Sequence, residues 1–320
     1  VAGSKKIISL SIKLFIGIAS FWIIYSRLIQ TPQLKEQCMY WFSQPHMYFM
    51  LLLALLLMPV NWGIESYKWK SITHSVEAVS YTTALKSVFS GVCVGNIAPG
   101  RAMEFLAKIV FFKPENRPTI TVLHFINGMF QMLITCIVGI ISITYKLNQV
   151  NQSATIVYLV ITGGLVMIAF FCWAILNVAF IQNKLTFIKW FRKMGDAQRI
   201  QFSKPLIVKL ISFSIIRYVV FTTQFYIIYR VLSPGSPAIH VFTSIAGYFM
   251  FTSLIPMISF IEPAIRGAIA IFVFNGAGDN PVNVVLASTF VWMINVVVPS
   301  IIGYVIIFRE KIEFRQARVD

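Results

Sequence analysis

Long apolar runs alternate with short polar connections along the whole chain. The runs cover Ile7 to Ile29, His46 to Ile64, Tyr81 to Phe112, Thr119 to Tyr145, Ser153 to Ile181, Pro205 to Leu232, Ala238 to Phe274 and Val282 to Phe308. A helix crosses a hydrocarbon core with about 20 apolar residues, so six of these eight runs predict single spanning helices. The first run is too long for a signal-peptide core of about 7 to 15 residues and reads as a retained span. The other two are interrupted, one at Ile97-Ala98-Pro99-Gly100 and one around Pro256 and again at Glu262-Pro263. Proline removes a backbone donor and clashes with the preceding turn. Each broken run holds two short helices but not two full spans, which predicts re-entrant hairpins.

Composition agrees with this all-α, polytopic reading. The chain has 320 residues, 58% hydrophobic and 12% charged, with a mean hydropathy of +0.77. A soluble domain carries about a quarter charged residues, so a water-soluble globular enzyme is excluded. No stretch remains for a separate soluble core, and residues 1–320 read as a single membrane domain. The net charge of +16 would suggest nucleic acid in a soluble chain. Here it reports topology, and no nucleic-acid partner is expected. With the hairpins re-entrant, Lys5, Lys6, Lys68, Lys70, Lys113, Arg117, Lys184, Lys189, Arg192, Lys193, Arg199, Lys204, Arg309, Lys311, Arg315 and Arg318 fall on one side. Lys35 lies in a loop opposite, and Arg27, Lys146 and Arg230 lie near that boundary. The positive-inside rule makes the basic side, with both termini, cytoplasmic.

This topology contains a repeat, residues 1–152 and 153–320, each reading span, span, hairpin, span from opposite faces. Inverted repeats of this form build many secondary transporters, with the site where broken helices meet at the midplane. Ser87 and Pro99 align with Ser244 and Pro256, and one extra residue then aligns Glu104 and Lys108 with Glu262 and Arg266. Each hairpin thus carries a break followed by an acid and a base one helical turn apart.

Charged side chains at membrane depth cost about 2.5 to 3.5 kcal/mol each. The candidates are Arg101, Glu104 and Lys108 in the first hairpin, Glu262 and Arg266 in the second, and Arg217 in the run from Pro205. Asn61 and Glu65, one turn apart, close the second run. The plain alternative is that the glutamates neutralise their helical neighbours. Clustering at two helix breaks favours a binding site, because unpaired backbone survives in a membrane only inside protein or beside a wet cavity. A helix starting at Gly100 would offer free N–H groups to an anion, with Arg101 in its first turn. Ser87, Gly91 and Gly95 put small residues on one face, which predicts close helix packing. Lys184 to Lys193 mixes basic and aromatic residues and reads as an interfacial anchor.

The remaining motifs are negative. Cys38, Cys93, Cys136 and Cys172 show no CxxC spacing, and His46, His74, His124 and His240 are scattered. No metal site, disulfide framework or cofactor is expected, and neither a GxSxG elbow nor a P-loop occurs. Gly276-Ala277-Gly278-Asp279-Asn280 reads as a turn outside the membrane.

Several of these residues resemble a known family, the transmembrane, flippase-like region of the lysylphosphatidylglycerol synthases and their stand-alone relatives. The resemblance rests on Asn61-Trp62 with Glu65, on Ala98-Pro99-Gly100-Arg101-Ala102-Met103-Glu104, similar to the family's Pro-Gly-Arg-x-x-Glu element, and on Pro256 to Glu262. It covers nearly the entire chain. Where the family usually shows a glycine-rich stretch before the second glutamate, this chain has Ile258-Ser259-Phe260-Ile261, with Pro263 following. The resemblance implies a fold that moves lipids between leaflets, in a bacterial cytoplasmic (inner) membrane. The full synthases append a soluble aminoacyl-transferase domain, and the short stretch after the last run predicts that this chain does not perform that transfer. The leading expectation is a non-enzymatic lipid translocase. Arg101, Arg217 and Arg266 would contact the phosphate of a membrane lipid, and Glu65, Glu104 and Glu262 would balance charge, bind a cationic headgroup or carry a coupling proton. The alternatives are an integral-membrane enzyme acting on lipid headgroups and a structural or assembly subunit.

Overall fold

In the computed structural model, residues 34–97, 103–185, 200–255, 261–275 and 279–310 are described, together with Trp22 and Phe187. The expected span at Ile7 to Ile29 lies outside them, as do Pro99, Gly100, Arg101 and Pro256. The described residues are helical, without strands. In chain order the helices are α1 (Leu34–Ser43), α2 (Pro45–Thr73), α3 (Tyr81–Ile97), α4 (Glu104–Ile109), α5 (Arg117–Gln149), α6 (Ala154–Leu176), α7 (Val178–Leu185), α8 (Lys204–Leu232), α9 (Ala238–Leu254), α10 (Glu262–Val273), α11 (Pro281–Trp292) and α12 (Val298–Arg309). A short 3-10 turn, Pro114–Asn116, precedes α5, and a π turn, Met293–Val297, joins α11 to α12.

Five described elements are long and apolar enough to cross a membrane: Pro45–Thr73, Pro114–Gln149, Ala154–Leu176, Lys204–Leu232 and Pro281–Arg309. They coincide with the unbroken runs of the sequence from residue 46 onward. Their outward faces are apolar, and on α6 the residues Leu159, Val166 and Leu176 are 68%, 65% and 70% exposed. Such a surface suits hydrocarbon, not water.

Helix starts follow local chemistry. Proline occupies the first turn of α2, α5, α8, α10 and α11, where its missing N–H would have had no helical partner. Ser203 and Asn280 cap α8 and α11, their side-chain oxygens accepting from the N–H groups of Leu206 and Val282. Between α5 and α6, Asn151 takes a left-handed conformation at φ 49°, which asparagine tolerates better than most residues. Three expectations are corrected. Pro263 does not break a helix but opens α10. The second span does not end at Ile64, since α2 continues to Thr73 and takes Glu65 and Lys68 into the bundle. The run ending at Ile181 is divided at Asn177, whose side chain donates to the Trp173 carbonyl between α6 and α7.

Helices α2 and α8 pack along one another, α3 packs on α12, and α9 packs on α5. Small residues set the closest approaches. A Cβ on Gly303 would stand 2.0 Å from the Phe89 carbonyl oxygen, so α12 rests directly on the backbone of α3. On the other side a Cβ on Gly139 would meet Met250 of α9 at 2.6 Å. The glycine face of α3 packs closely, as its spacing predicts. Its neighbour is α4, with Lys108 over Gly91 and Glu104 over Gly95.

Candidate functional site

Midway along α2 and α8, polar side chains form a chain of contacts through the apolar interior. Arg217 of α8 donates from Nε to Asn61 Oδ1 and from Nη1 to Glu65 Oε2, both at 2.9 Å. Its guanidinium lies 5.1 Å from the Trp62 ring centroid, a cation–π distance. The other Glu65 oxygen accepts from Asn127 Nδ2 of α5 at 2.8 Å. Lys68 is fully buried and donates to the Asn127 carbonyl at 2.9 Å. Asn61 in turn donates to Asn295 Oδ1 at 2.8 Å. These bonds tie α2, α5, α8 and the last helix together.

Asn295 reaches Asn61 from the π turn, and the sequence accounts for that turn. Pro299 has no N–H to give the carbonyl four residues back, and the Val298 N–H bonds instead to Met293, five residues back. The Val296 carbonyl is taken by the Ser300 hydroxyl at 2.7 Å and by Asn96 Nδ2 at 3.3 Å. Single π turns often occur at functional positions.

The two acid–base pairs expected on the hairpins are both formed. Lys108 meets Glu104 at 2.9 Å, and Arg266 meets Glu262 at 2.7 Å. Lys108 also lies 5.3 Å from the Trp69 ring centroid. The surroundings of the pairs differ. Glu262 and Arg266 face a cavity of about 410 Å³, which Asn61, Arg217 and Asn295 also line. Glu104 and Lys108 do not line it; they lie under the glycine face of α3. Lys108 and Lys68 nevertheless lie within the electrostatic reach of the Glu65 carboxylate. Across these groups Lys68, Lys108, Arg217 and Arg266 outnumber Glu65, Glu104 and Glu262 by one positive charge.

Sequence reasoning missed Asn127, Gln131 and Asn295. It also placed Lys68 with the loop cations. The one available signal was Pro299 inside an apolar run, which marks a disturbed helix near Asn295. At the other end of α8, Asp279 accepts from Tyr229 Oη and pairs with His240 Nε2, both at 2.6 Å. The expected turn at Gly276 to Asn280 therefore holds a buried carboxylate, although Gly276 to Gly278 lie outside the described residues. Among the described residues no group of histidine, cysteine and carboxylate side chains is arranged to hold a metal.

Comparison with known protein families finds no family model that matches this chain, and no curated protein matches it.

Proposed function

We propose that the chain is a lipid translocase that carries a phosphate-bearing headgroup through the cavity between α2, α5, α8, α9, α10 and the π turn, while the acyl chains stay in the bilayer. It moves the lipid without altering it chemically. The cavity carries the proposal. A space of about 410 Å³ lined by Arg217, Arg266, Glu262, Asn61 and Asn295 lies inside helices whose outer faces are apolar. Charge at such depth costs about 2.5 to 3.5 kcal/mol per residue, and the excess of one cation favours an anionic guest. The resemblance to the flippase-like region of the lysylphosphatidylglycerol synthases points the same way, since Asn61, Trp62 and Glu262 of its elements line the cavity.

In this reading the chain is an inverted repeat with re-entrant hairpins, α3–α4 and α9–α10, and the bias of basic residues puts both termini on the cytoplasmic side. The repeat is supported by α3 and α9 having 17 residues each and by α4 and α10 both starting at a glutamate. It is supported also by reciprocal packing. Each first hairpin helix rests on the span that follows the other hairpin, α3 on α12 and α9 on α5.

The test is reconstitution into vesicles with leaflet-labelled phospholipids. Wild-type protein should move at least one anionic phospholipid faster than protein-free vesicles. Glu262→Gln/Arg266→Gln removes both partners of one pair, which leaves no stranded buried charge. It should slow movement by about tenfold or more, the worth of a charge-assisted contact, while the thermal unfolding midpoint stays near wild type. Failure of every phospholipid to move with folded wild-type protein would overturn the proposal.

A further inference from the structure

Several atoms on the cavity wall have unmet hydrogen-bonding capacity. Trp62 Nε1, Trp292 Nε1 and Gln131 Oε1 are each buried and have no partner among the described residues, and all three residues line the cavity. Trp62 is only 5% exposed. Buried polar atoms in native proteins are nearly always paired, so orphans beside a cavity describe what should fill it.

An indole N–H can only donate, so the tryptophans call for acceptor oxygens. Gln131 calls for the opposite. Its Nε2 donates to the Ser214 carbonyl at 3.3 Å, which fixes the amide orientation and leaves Oε1 as an acceptor in need of a donor. A bare phosphodiester satisfies the indoles and guanidinium groups but offers nothing to Gln131. The guest must carry a donor as well. Ammonium and hydroxyl are the two common choices, and charge separates them. Glu262 is held by Arg266 and Glu65 by Arg217 and Asn127, and cations already outnumber carboxylates around the cavity. An ammonium would enter without a counter-ion, whereas a hydroxyl donates to Gln131 at no electrostatic cost and accepts from an indole N–H.

We therefore infer that the cavity recognises a polyhydroxylated phosphate headgroup, a polyol or sugar phosphate, with Trp62, Trp292 and Gln131 reading the hydroxyl-bearing part and Arg217 and Arg266 the phosphate. This rests on the reading of the cavity as the headgroup site. A volume of about 410 Å³ lies within the range of about 300–1,000 Å³ typical of small-molecule sites.

The test uses the full chain in a detergent without sugar groups. Dissociation constants are measured for lysophosphatidylinositol, lysophosphatidylcholine and free inositol phosphate. Wild type should prefer the inositol lipid over the choline lipid by about tenfold, the worth of one or two hydrogen bonds. Gln131→Met should remove about threefold or more of that preference while leaving the choline lipid's affinity unchanged. Trp62→Phe/Trp292→Phe, which keeps two aromatic rings but loses both N–H donors, should narrow it too, because choline offers no oxygen beyond the phosphate. It also serves if Gln131→Met does not fold. Free inositol phosphate binding with the same Gln131 dependence would assign recognition to the headgroup alone, and binding of the lipid only would make the acyl chain part of the ligand. Equal or tighter binding of the choline lipid, or an unchanged preference in both variants, would overturn the inference and leave the orphan atoms to ordered water. Selective binding by a chain that moves no lipid would sustain this inference and defeat the translocase; transport with no headgroup preference would do the reverse.

Discussion

Asn61 and Asn295, 234 residues apart in the chain, share a 2.8 Å hydrogen bond in the middle of the bundle. The bond leaves Asn61 Oδ1 free to accept from Arg217, so the position of the arginine depends on a residue it does not touch. Asn295→Leu should strand the Asn61 amide donor and cost about 1–3 kcal/mol. A lower thermal unfolding midpoint in detergent would show this, and a wild-type midpoint would mean that water replaces Asn295.

Removing one partner of a buried ion pair costs more than removing both. Glu65→Gln leaves Arg217 without its carboxylate and Lys68 without the nearby negative charge, a loss of about 3–5 kcal/mol. Glu65→Gln/Arg217→Gln should recover part of that loss. A double-mutant cycle from denaturation midpoints checks the coupling, which should be well above the few tenths of a kcal/mol expected of independent sites.

Glycines give a graded series. A Cβ at Gly303 would meet backbone at 2.0 Å, and one at Gly91 would meet the flexible Lys108 side chain at 2.7 Å, while nothing lies within 4 Å at Gly163. Gly303→Ala should therefore force α12 from α3 and cost about 1–3 kcal/mol or more. Gly91→Ala should cost less, because Lys108 can shift, and Gly163→Ala should gain about 0.5–1 kcal/mol from helix propensity. Thermal melts of the three variants test the order. Equal destabilisation by Gly303→Ala and Gly163→Ala would contradict the α3–α12 approach.

Sidedness can be read by labelling. Glu115 and Gln149 flank the helix Arg117–Gln149 and both are exposed. Single cysteines at these positions should react with an impermeant maleimide from opposite sides of sealed vesicles, position 115 from the cytoplasmic side. Labelling of both from one side would rule out α5 as a span.

How much of this was legible beforehand depended on the kind of signal. Each long helix is visible because its apolar run exceeds the thickness of a bilayer, a local property. Glu104 with Lys108 and Glu262 with Arg266 were also legible, since partners one turn apart must share a helix face. The cavity network was not. Asn127 and Asn295 are single uncharged residues in apolar helices, 62 and 234 residues from their partners, and no periodicity marks them. Lys68 misled because a lysine after an apolar run usually marks the membrane boundary. Here the α2 helix continues past it, and the Asn127 carbonyl takes its ammonium inside the protein.

The π turn at Met293–Val297 has a consequence for how the site could be lost. Such a turn accommodates one residue more than an α-helix of the same span, and excising one residue is the simplest way to undo it. A deletion there would leave Pro281–Arg309 still long enough to cross the bilayer. Everything after it, however, would turn by about 100° relative to what precedes it. Either Asn295 would leave the cavity or Gly303 would rotate away from Phe89. In this helix a single-codon deletion is thus a change of wiring rather than of length.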